Sequence, residues 1–255
     1  MAADTEPLAF QALGLVELLA RAHDSSEQRI VSLCRRGVTS LGPVAAVGVP
    51  AAFAGLARTT LDQLGAQQAA VVAQIRFPAG GTAIEAIAGE VRGALLVGAD
   101  EVDVVFPFRA LLSGNADVGH DLVAACKAEC RLQGRLVVTL ETGELRDPQL
   151  IRSACRIAIG AGADFIKSCT DRLLTPLSDQ AARIMLECIA EAGGQVGFKA
   201  AGGLRSLEDV RPVLRLVTER FAPSWVAGQR LRLGGSVLLD DLLGRLGLIE
   251  TGMLY

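Results

Sequence analysis

The sequence of 255 residues predicts a (β/α)8 barrel, the TIM-barrel architecture of the α/β class, formed by one domain over residues 1–255. Two observations carry this prediction. Short apolar runs rich in strand-forming residues recur eight times, with starts 26 to 36 residues apart, and segments with helical periodicity lie between them. Strand and helix alternating at about 30 residues per unit is typical of parallel βαβ units, and eight units in roughly 250 residues fit a closed barrel.

The elements follow one another along the whole chain. A doubly wound open sheet is the competing arrangement, but the first apolar run leads into Leu18-Leu-Ala-Arg-Ala-His-Asp24, without the glycine-rich fingerprint usual in such sheets. Apolar residues at helical spacing predict helices, for example over 84–96 and 181–189. The first twelve residues are expected to form a short helix, and the tail after Leu246 is expected to be loosely held. The strands are expected at 13–18, 44–49, 70–77, 101–107, 135–141, 164–169, 195–200 and 231–234.

Composition excludes several classes of protein. Hydrophobic residues make up 51% of the chain and charged residues 21%, which excludes an intrinsically disordered chain. No apolar run approaches the roughly 18 residues of a membrane span, the first residues lack a secretory signal, and a net charge of −3 gives no reason to expect nucleic acid as a partner. Six cysteines without a CxxC pair indicate a cytoplasmic location. With two histidines, a three-histidine metal site is impossible, so neither metal nor cofactor is expected.

Lysine is scarce, and its positions are informative. Three of the 25 basic residues are lysines and the other 22 are arginines. Unlike arginine, lysine can lose its proton near neutral pH and act as a nucleophile. Lys127 lies in a predicted helix over 118–132 and is expected to be a solvated surface residue. Lys167 and Lys199 lie at the ends of predicted strands six and seven, at the edge where barrels of this class carry their active sites.

A carboxylate accompanies these two lysines. Asp103 lies mid-strand among valines, where a surface acid is not expected, and a buried ammonium needs such a partner or must deprotonate. A second cation lowers the pKa of the first lysine, whose neutral amine can then form a Schiff base with an aldehyde while the carboxylate moves protons. This is the chemistry of a class I aldolase. The alternative, a structural acid paired with a core cation, has the same geometry and stays open.

Glycine-rich turns follow the last two predicted strands. Gly202 and Gly203 follow strand seven, and Gly235 and Ser236 follow strand eight, each ahead of a predicted helix. Glycine lets backbone N–H groups approach a phosphate, and a helix N-terminus adds partial positive charge. Because the loops after strands seven and eight form the usual phosphate site of such barrels, an anion site is expected here.

Four blocks of sequence, in this order, resemble the deoxyribose-phosphate aldolase family, and the similarity runs over nearly the whole chain. No single block is specific for the family, but the occurrence of all four blocks in this order is specific for it. The blocks are GADEVDVVFPFRA at 98–110, ETGEL at 141–145, GADFIK at 162–167 and GFKAAGG at 197–203.

The resemblance implies an activity and a set of catalytic residues. The family reaction is the reversible cleavage of 2-deoxy-D-ribose 5-phosphate to D-glyceraldehyde 3-phosphate and acetaldehyde. By resemblance, Lys167 is the Schiff-base lysine, Lys199 the second lysine that tunes it, and Asp103 the proton-relay aspartate. Tyr255, the last residue, matches a C-terminal tyrosine that assists proton transfer in similar members; an ordinary frayed terminus is the alternative.

Most departures from the family pattern lie where substrate contacts are implied. Strand one carries Glu17 and Leu19 where the family typically has aspartate and threonine. Asp171 and Arg172 replace a glycine and a lysine, and Val237 replaces one of two serines. Remodelled hydroxyl and phosphate contacts around an intact catalytic core are therefore expected. The candidates for binding substrate and phosphate are Glu17, Thr170, Arg172, Gly202, Gly203, Gly235 and Ser236.

Two other functions stay open at this point. One is a related Schiff-base aldolase with a different acceptor aldehyde or a weak phosphate preference, and the other is a non-catalytic barrel that binds sugar phosphates. The expected partners are a small-molecule substrate and, since the family is commonly dimeric, a second copy of the chain; neither nucleic acid nor a membrane is expected. Cys169 is expected to be a small core residue.

Overall fold

Eight parallel strands close into a barrel in this computed structural model, which describes residues 5–20, 26–77, 79–131, 133–170 and 176–248. The strands are β1 (Val16–Leu19), β2 (Val38–Thr39), β3 (Gly42–Pro43), β4 (Ala46–Pro50), β5 (Ala70–Ile75), β6 (Glu101–Val105), β7 (Arg135–Thr139), β8 (Phe165–Lys167), β9 (Gly197–Ala200) and β10 (Leu231–Gly234). The short strands β2 and β3 pair antiparallel outside the barrel. In the barrel, β1 is followed by β4, the remaining strands follow in sequence order to β10, and β10 pairs with β1 to close it. The predicted (β/α)8 barrel is confirmed.

Helices follow the barrel strands and cover the outside of the sheet. The predicted N-terminal helix is α1, which packs against the last helix, α11. None of the described helices is both long and apolar enough to span a membrane. The helices are α1 (Thr5–Leu13), α2 (Glu27–Arg36), α3 (Ala54–Gln63), α4 (Ile84–Leu96), α5 (Phe108–Leu112), α6 (Asp117–Cys130), α7 (Thr142–Leu145), α8 (Pro148–Gly160), α9 (Asp179–Glu191), α10 (Leu207–Thr218) and α11 (Ser236–Arg245), with 3₁₀ turns at Ala51–Phe53 and Pro223–Trp225.

The sequence of β6, EVDVV, shows how the barrel sorts its side chains. Val102 and Val104 belong to the apolar core between sheet and helices, whereas Glu101 and Asp103 are buried without belonging to it. Successive side chains of a strand point to opposite faces, so the two carboxylates face the barrel interior. The barrel therefore has an apolar outer layer and a charged interior, and the interior charges require partners.

The strand that carries Lys167 is shorter than the sequence predicts. Strand six was expected over 164–169, but β8 ends at Lys167. The Ser168 hydroxyl donates to the Ala201 carbonyl oxygen at 2.7 Å and accepts from the Ala201 N–H at 2.8 Å. The Ser168 backbone still donates to the Lys199 carbonyl oxygen at 3.1 Å and accepts from the Thr142 N–H at 2.9 Å. The next bonds of the ladder are replaced, because the Ala201 backbone bonds to the Ser168 side chain.

Lys127 is on the expected helix, α6, but it is not a solvated residue. Its Nζ donates to Asp164 Oδ2 at 2.6 Å, and its side chain is about one-third exposed (32%). The same Asp164 oxygen accepts from the Leu136 N–H at 2.7 Å. Lys127 also lies against Gly162, whose φ of +104° favours glycine. A Cβ atom at this position would lie 2.9 Å from Lys127 Cγ, so its absence leaves room for the lysine side chain. Lys127 therefore fastens α6 to the start of β8, a contact that helical periodicity does not predict.

Candidate active site

Lys167 lies inside the barrel at the carboxyl end of β8, paired with a single carboxylate. Its Nζ donates to Asp103 Oδ2 at 2.9 Å, and the two side chains are 1% and 0% exposed. The other oxygen, Asp103 Oδ1, accepts from the Thr139 hydroxyl at 2.6 Å. Lys167 Nζ also lies 4.9 Å from the centroid of the Phe77 ring. The pair is thus shielded from bulk water, and each oxygen of the carboxylate has a defined partner.

Lys199 lies directly beside Lys167 on the next strand, but between two carboxylates. The two lysines are register partners in the β8–β9 pairing. Lys199 Nζ donates to Glu17 Oε2 at 2.7 Å and to Glu101 Oε2 at 2.8 Å. All three side chains are about 2% exposed. The two lysines predicted to converge at the barrel mouth are therefore neighbours, each bound to acids from other strands.

A third buried cation, Arg232 on β10, completes this cluster. Its guanidinium donates to Glu101 Oε1 at 3.1 Å and lies 3.7 Å from Glu17 Oε2. Arg232 and Lys199 are register partners in the β10–β9 pairing. Burial alone would raise the pKa of Glu101, but the charges of Lys199 and Arg232 outweigh it and hold that pKa at about 2. Glu101 is therefore a permanent anion held by Lys199 and Arg232, with Arg135 3.7 Å from its Oε1 as well.

An aromatic ring occupies the centre of the barrel beneath the lysines. The Phe165 ring centroid lies 5.0 Å from Lys199 Nζ and 5.6 Å from the Arg232 guanidinium. The ring has this place because the neighbouring strand carries Gly197, where a Cβ atom would lie 2.2 Å from two ring carbons. Cations over a ring face are attracted by its quadrupole, so the ring supports the charged cluster from below.

The pKa values of the Lys167–Asp103 pair are both raised. Burial raises the pKa of Asp103, although the charges of Lys167 and Lys199 oppose it. Burial acts to lower the pKa of Lys167, but the charges of Asp103 and Glu17 outweigh it and raise that pKa. The expectation of a depressed pKa for Lys167 is therefore wrong for this arrangement, because the charges of Asp103 and Glu17 hold its proton.

Glu141, at the end of β7, presents an unsatisfied carboxylate oxygen next to the loop after Lys167. Its Oε1 accepts from the Thr170 N–H at 2.7 Å, while its buried Oε2 has no hydrogen-bond partner. Its backbone is left-handed, with φ +55° and ψ +58°, which is uncommon for a residue with a side chain. Burial raises the pKa of Glu141. The side chain thus holds the Thr170 backbone and keeps one oxygen available.

The two glycine turns lie at the carboxyl ends of adjacent strands, as predicted. Gly202 and Gly203 have φ of +101° and +79°, and a Cβ at Gly235 would come within 2.4 Å of the Leu204 carbonyl oxygen. α11 begins at Ser236, whose hydroxyl donates to the Leu19 carbonyl oxygen at 3.5 Å. The backbone at both turns is therefore available only to glycine, and a helix N-terminus opens beside them.

Comparison with known proteins identifies the family. The family model described as DeoC/LacD family aldolase matches residues 44–231, about three quarters of the chain. The chain belongs to the DeoC/LacD aldolase family. Because the matched region spans β4 to the start of β10, it contains Asp103, Lys167 and Lys199.

Solved structures share the barrel of this chain. A candidate deoxyribose-phosphate aldolase from Toxoplasma gondii ME49 superposes with a TM-score of 0.89 at 19% identity, covering 98% of each chain. An aldolase named QR15 has a TM-score of 0.75 at 25% identity, covering 94% of this chain and 99% of its own. The tetrameric deoxyribose phosphate aldolase from Aeropyrum pernix has a TM-score of 0.76 at 19% identity, covering 97% and 96%. The same barrel is thus found at low sequence identity.

The candidates for the DeoC/LacD site divide into three groups. Lys167, Lys199 and Asp103 lie in one buried cluster, and Glu17 lies in it as well, bound to Lys199. Thr170 is buried, with its N–H held by Glu141, and the glycine turns lie at the ends of β9 and β10. Cys169 is buried, as expected. Arg172, Asp171 and Tyr255 lie outside the described residues.

Sequence reasoning missed four members of the site. Glu101 lies two residues before Asp103 and Arg232 two residues before Gly234, so strand alternation places each on an interior face. Thr139 and Glu141 lie at the end of β7, next to Lys167 in the barrel. Applying the alternation of side chains to every predicted strand would have found Glu101 and Arg232. In the part of the chain that the structure describes, no group of three or more His, Cys, Asp and Glu residues is arranged to hold a metal ion.

Proposed function

We propose that this protein is a class I aldolase, a carbon–carbon lyase, that reversibly cleaves 2-deoxy-D-ribose 5-phosphate to D-glyceraldehyde 3-phosphate and acetaldehyde through a Schiff base on Lys167. The observation that carries the proposal is the buried Lys167–Asp103 pair, with Nζ 2.9 Å from Oδ2 at the carboxyl ends of the strands. A lysine beside one carboxylate can pass its proton to that neighbour and become a nucleophile. Membership of an aldolase family supports the proposal.

Schiff-base formation begins with the proton that Lys167 and Asp103 share. When this proton moves from Nζ to Oδ2, a neutral amine faces a neutral acid, and burial favours an uncharged pair. The amine attacks the aldehyde carbon of the open-chain sugar, and a proton moves from nitrogen to the carbonyl oxygen. Asp103 then protonates the hydroxyl of the carbinolamine, which leaves as water and gives an iminium ion on Lys167.

Cleavage uses the same carboxylate as a base. Asp103, ionised again, removes the proton of the C3 hydroxyl, directly or through one water. The C2–C3 bond breaks, its electron pair moves into the iminium to form an enamine, and D-glyceraldehyde 3-phosphate leaves. Protonation of the enamine carbon by Asp103 and hydrolysis of the iminium release acetaldehyde and restore the Lys167 amine. Synthesis of the sugar follows the same steps in reverse.

The rim of the barrel supplies the contacts that orient the substrate in this proposal. The backbone N–H groups of the glycine turns and the N-terminus of α11 suit the phosphate. In this proposal Arg172 supplies a guanidinium for the phosphate and Tyr255 assists proton transfer; both residues lie outside those that the structure describes. Glu17 Oε1 is buried without a hydrogen-bond partner, so it is free to accept from a sugar hydroxyl.

A specific observation favours a second candidate, a Schiff-base aldolase with a weak phosphate preference or another acceptor aldehyde. The Leu19 side chain lies over Gly48, where a Cβ would be 2.7 Å from Leu19 Cδ2. The apolar side chain of Leu19 therefore covers the rim next to Glu17. The deoxyribose-phosphate aldolase family, which the sequence resembles, typically has threonine at the position of Leu19. Rates on 2-deoxyribose 5-phosphate and on unphosphorylated 2-deoxyribose distinguish the candidates. A strong preference for the phosphorylated sugar supports the first candidate, and comparable rates support the second.

Reductive trapping tests the Schiff base. Acetaldehyde and borohydride should add one ethyl group to Lys167, which peptide mass spectrometry locates. Lys167→Leu should remove both this label and the activity, whereas Lys127→Leu, a matched change at the ion-paired lysine outside the barrel, should keep the label. A wild-type protein that binds sugar phosphate but carries no label at Lys167 would instead be a non-catalytic binding protein.

A further inference from the structure

Arg232 lies inside the barrel against both carboxylates that bind Lys199, and its buried Nη1 has no hydrogen-bond partner. Its side chain is about 5% exposed, and the guanidinium lies 3.1 Å from Glu101 Oε1 and 3.7 Å from Glu17 Oε2. Nε donates to the Gly228 carbonyl oxygen. The guanidinium therefore reaches both acids that bind Lys199, and a backbone contact fixes its position.

Four buried charges form a group: Glu17 and Glu101 contribute two negative charges, and Lys199 and Arg232 two positive charges. Arg135, about one-third exposed, approaches this group from β7, with Nη1 3.7 Å from Glu101 Oε1. Removing one partner from such a group leaves an uncompensated buried charge, which is strongly unfavourable. Arginine remains protonated under all physiological conditions, whereas lysine can lose its proton. Arg232 is therefore the fixed positive charge of the group.

We propose that Arg232 is a positioning residue for the Schiff-base reaction: it holds Glu17 and Glu101 against Lys199 and balances their charge, and so limits the negative field that reaches Lys167. This inference rests on the proposed function. Arg232 acts through Glu17 and does not touch Lys167 itself. Lysine at this position would keep the charge, but its single ammonium could not bridge both acids in the same plane.

Glu17 is the link between Arg232 and the nucleophile. After Asp103, Glu17 is the charge that raises the pKa of Lys167 most. Without Arg232, Lys199 would be the only buried cation paired with Glu17 in the described residues, since Arg135 is partly exposed and contacts Glu101 alone of the two acids. The larger negative field of Glu17 would hold the Lys167 proton more firmly. The charged and titratable groups that act on Lys167 are Asp103, Glu17 and Cys169. The charge of Lys167 in turn acts on Glu141, which follows β7. Lys199 on β9 and Arg232 on β10 are the cations paired with Glu17.

The test is the pH dependence of Schiff-base formation, measured as the rate of borohydride trapping of acetaldehyde on Lys167 in the full chain. Arg232→Met should move the profile to alkaline pH by about one unit, a roughly tenfold loss of rate at neutral pH. Glu101→Gln should move the profile the other way. The double variant should lie between the two single variants, because one charge of each sign is then removed.

Two further variants separate positioning from folding. Arg58→Met is the matched control: Arg58 also bridges two acids, Asp62 at 2.9 Å and Asp100 at 3.0 Å, but outside the barrel. It should lower the melting temperature and leave the profile in place. Arg232→Lys should keep the wild-type midpoint at a lower rate, and it replaces Arg232→Met if the methionine variant does not fold.

The outcomes are distinguishable. A uniform loss of rate in Arg232→Met without a shift, or an equal shift in Arg58→Met, overturns the positioning role. If Arg232→Met does not fold, a shifted midpoint in Arg232→Lys overturns it. A wild-type protein without any label at Lys167 overturns the proposed function instead.

Discussion

The hydroxyl of Thr139 is the most specific point at which the Lys167–Asp103 pair can be perturbed. It donates to Asp103 Oδ1 at 2.6 Å, and both side chains are fully buried. Thr139→Val keeps the volume of the side chain and removes only this hydrogen bond. Asp103 Oδ1 is then left buried without its donor, while Oδ2 still faces Lys167.

The expected magnitude follows from the charge and burial of the acceptor. A hydrogen bond to a buried charged group contributes about 2 kcal/mol, and a contact this short belongs in the upper part of the range. The hydrogen bond favours the ionised form of Asp103, so its loss should raise the pKa of Asp103 further. If the ionised form loses the whole energy of the bond and the protonated form loses none, the rise is about 1.5 pH units. The free energy of unfolding should fall by about 2 kcal/mol at neutral pH.

The assay combines urea unfolding with the pH profile of kcat for cleavage of 2-deoxyribose 5-phosphate. The acid limb of the profile should move to higher pH, and kcat at neutral pH should fall roughly tenfold. Thr139→Ser should restore both. Thr60→Val is the matched control, because Thr60 donates only to the Leu56 carbonyl oxygen outside the barrel. An unmoved acid limb in Thr139→Val, with stability lost as in Thr60→Val, would refute this reasoning.

Three further results are expected. Lys199→Leu should lower kcat and move the pH profile to alkaline pH, because Glu17 and Glu101 lose a cation and their field on Lys167 grows; an acid shift would contradict this. Gly197→Ala should cost about 1–3 kcal/mol of stability in thermal melts, since the new methyl group would displace the Phe165 ring. The pKa of Glu101 is lowered from 4.5 to about 2 on folding, so its ion pairs stabilise the protein above pH 4.5 and this stability is lost as pH falls toward 2. Glu101→Gln should remove that part of the acid transition from the stability profile.

The fold was predictable because its signal is repeated. Each of the eight strands alternates with a helix, and an error in one element does not change the count. Local boundaries were less predictable, as in β8, where the Ser168 hydroxyl binds the Ala201 backbone in place of the ladder. Lys127 shows the same limit, because its partner Asp164 lies 37 residues away on another element. Contacts of this kind depend on tertiary packing, which periodicity does not contain.

The candidate site was predictable in its members but not in its electrostatics. The placement of Lys167, Lys199 and Asp103 follows from strand ends and alternation alone. The sign of the pKa shift of Lys167 depends instead on how many acids face each lysine, and those acids come from β1 and β6. A sequence without the barrel register cannot supply that count, so the net effect of Asp103 and Glu17 on the pKa of Lys167 could not be worked out in advance.

The count of carboxylates also distinguishes the nucleophile from its neighbour. In the described parts of the chain all three lysines are ion-paired, so scarcity and pairing do not separate them. Lys167 faces one acid, and moving one proton within that pair leaves two neutral groups, which a buried site favours. Lys199 Nζ donates to two acids, at 2.7 and 2.8 Å, and two ionised partners hold an ammonium more firmly than one. The geometry therefore makes Lys167 the amine that can react and Lys199 the charge that stays.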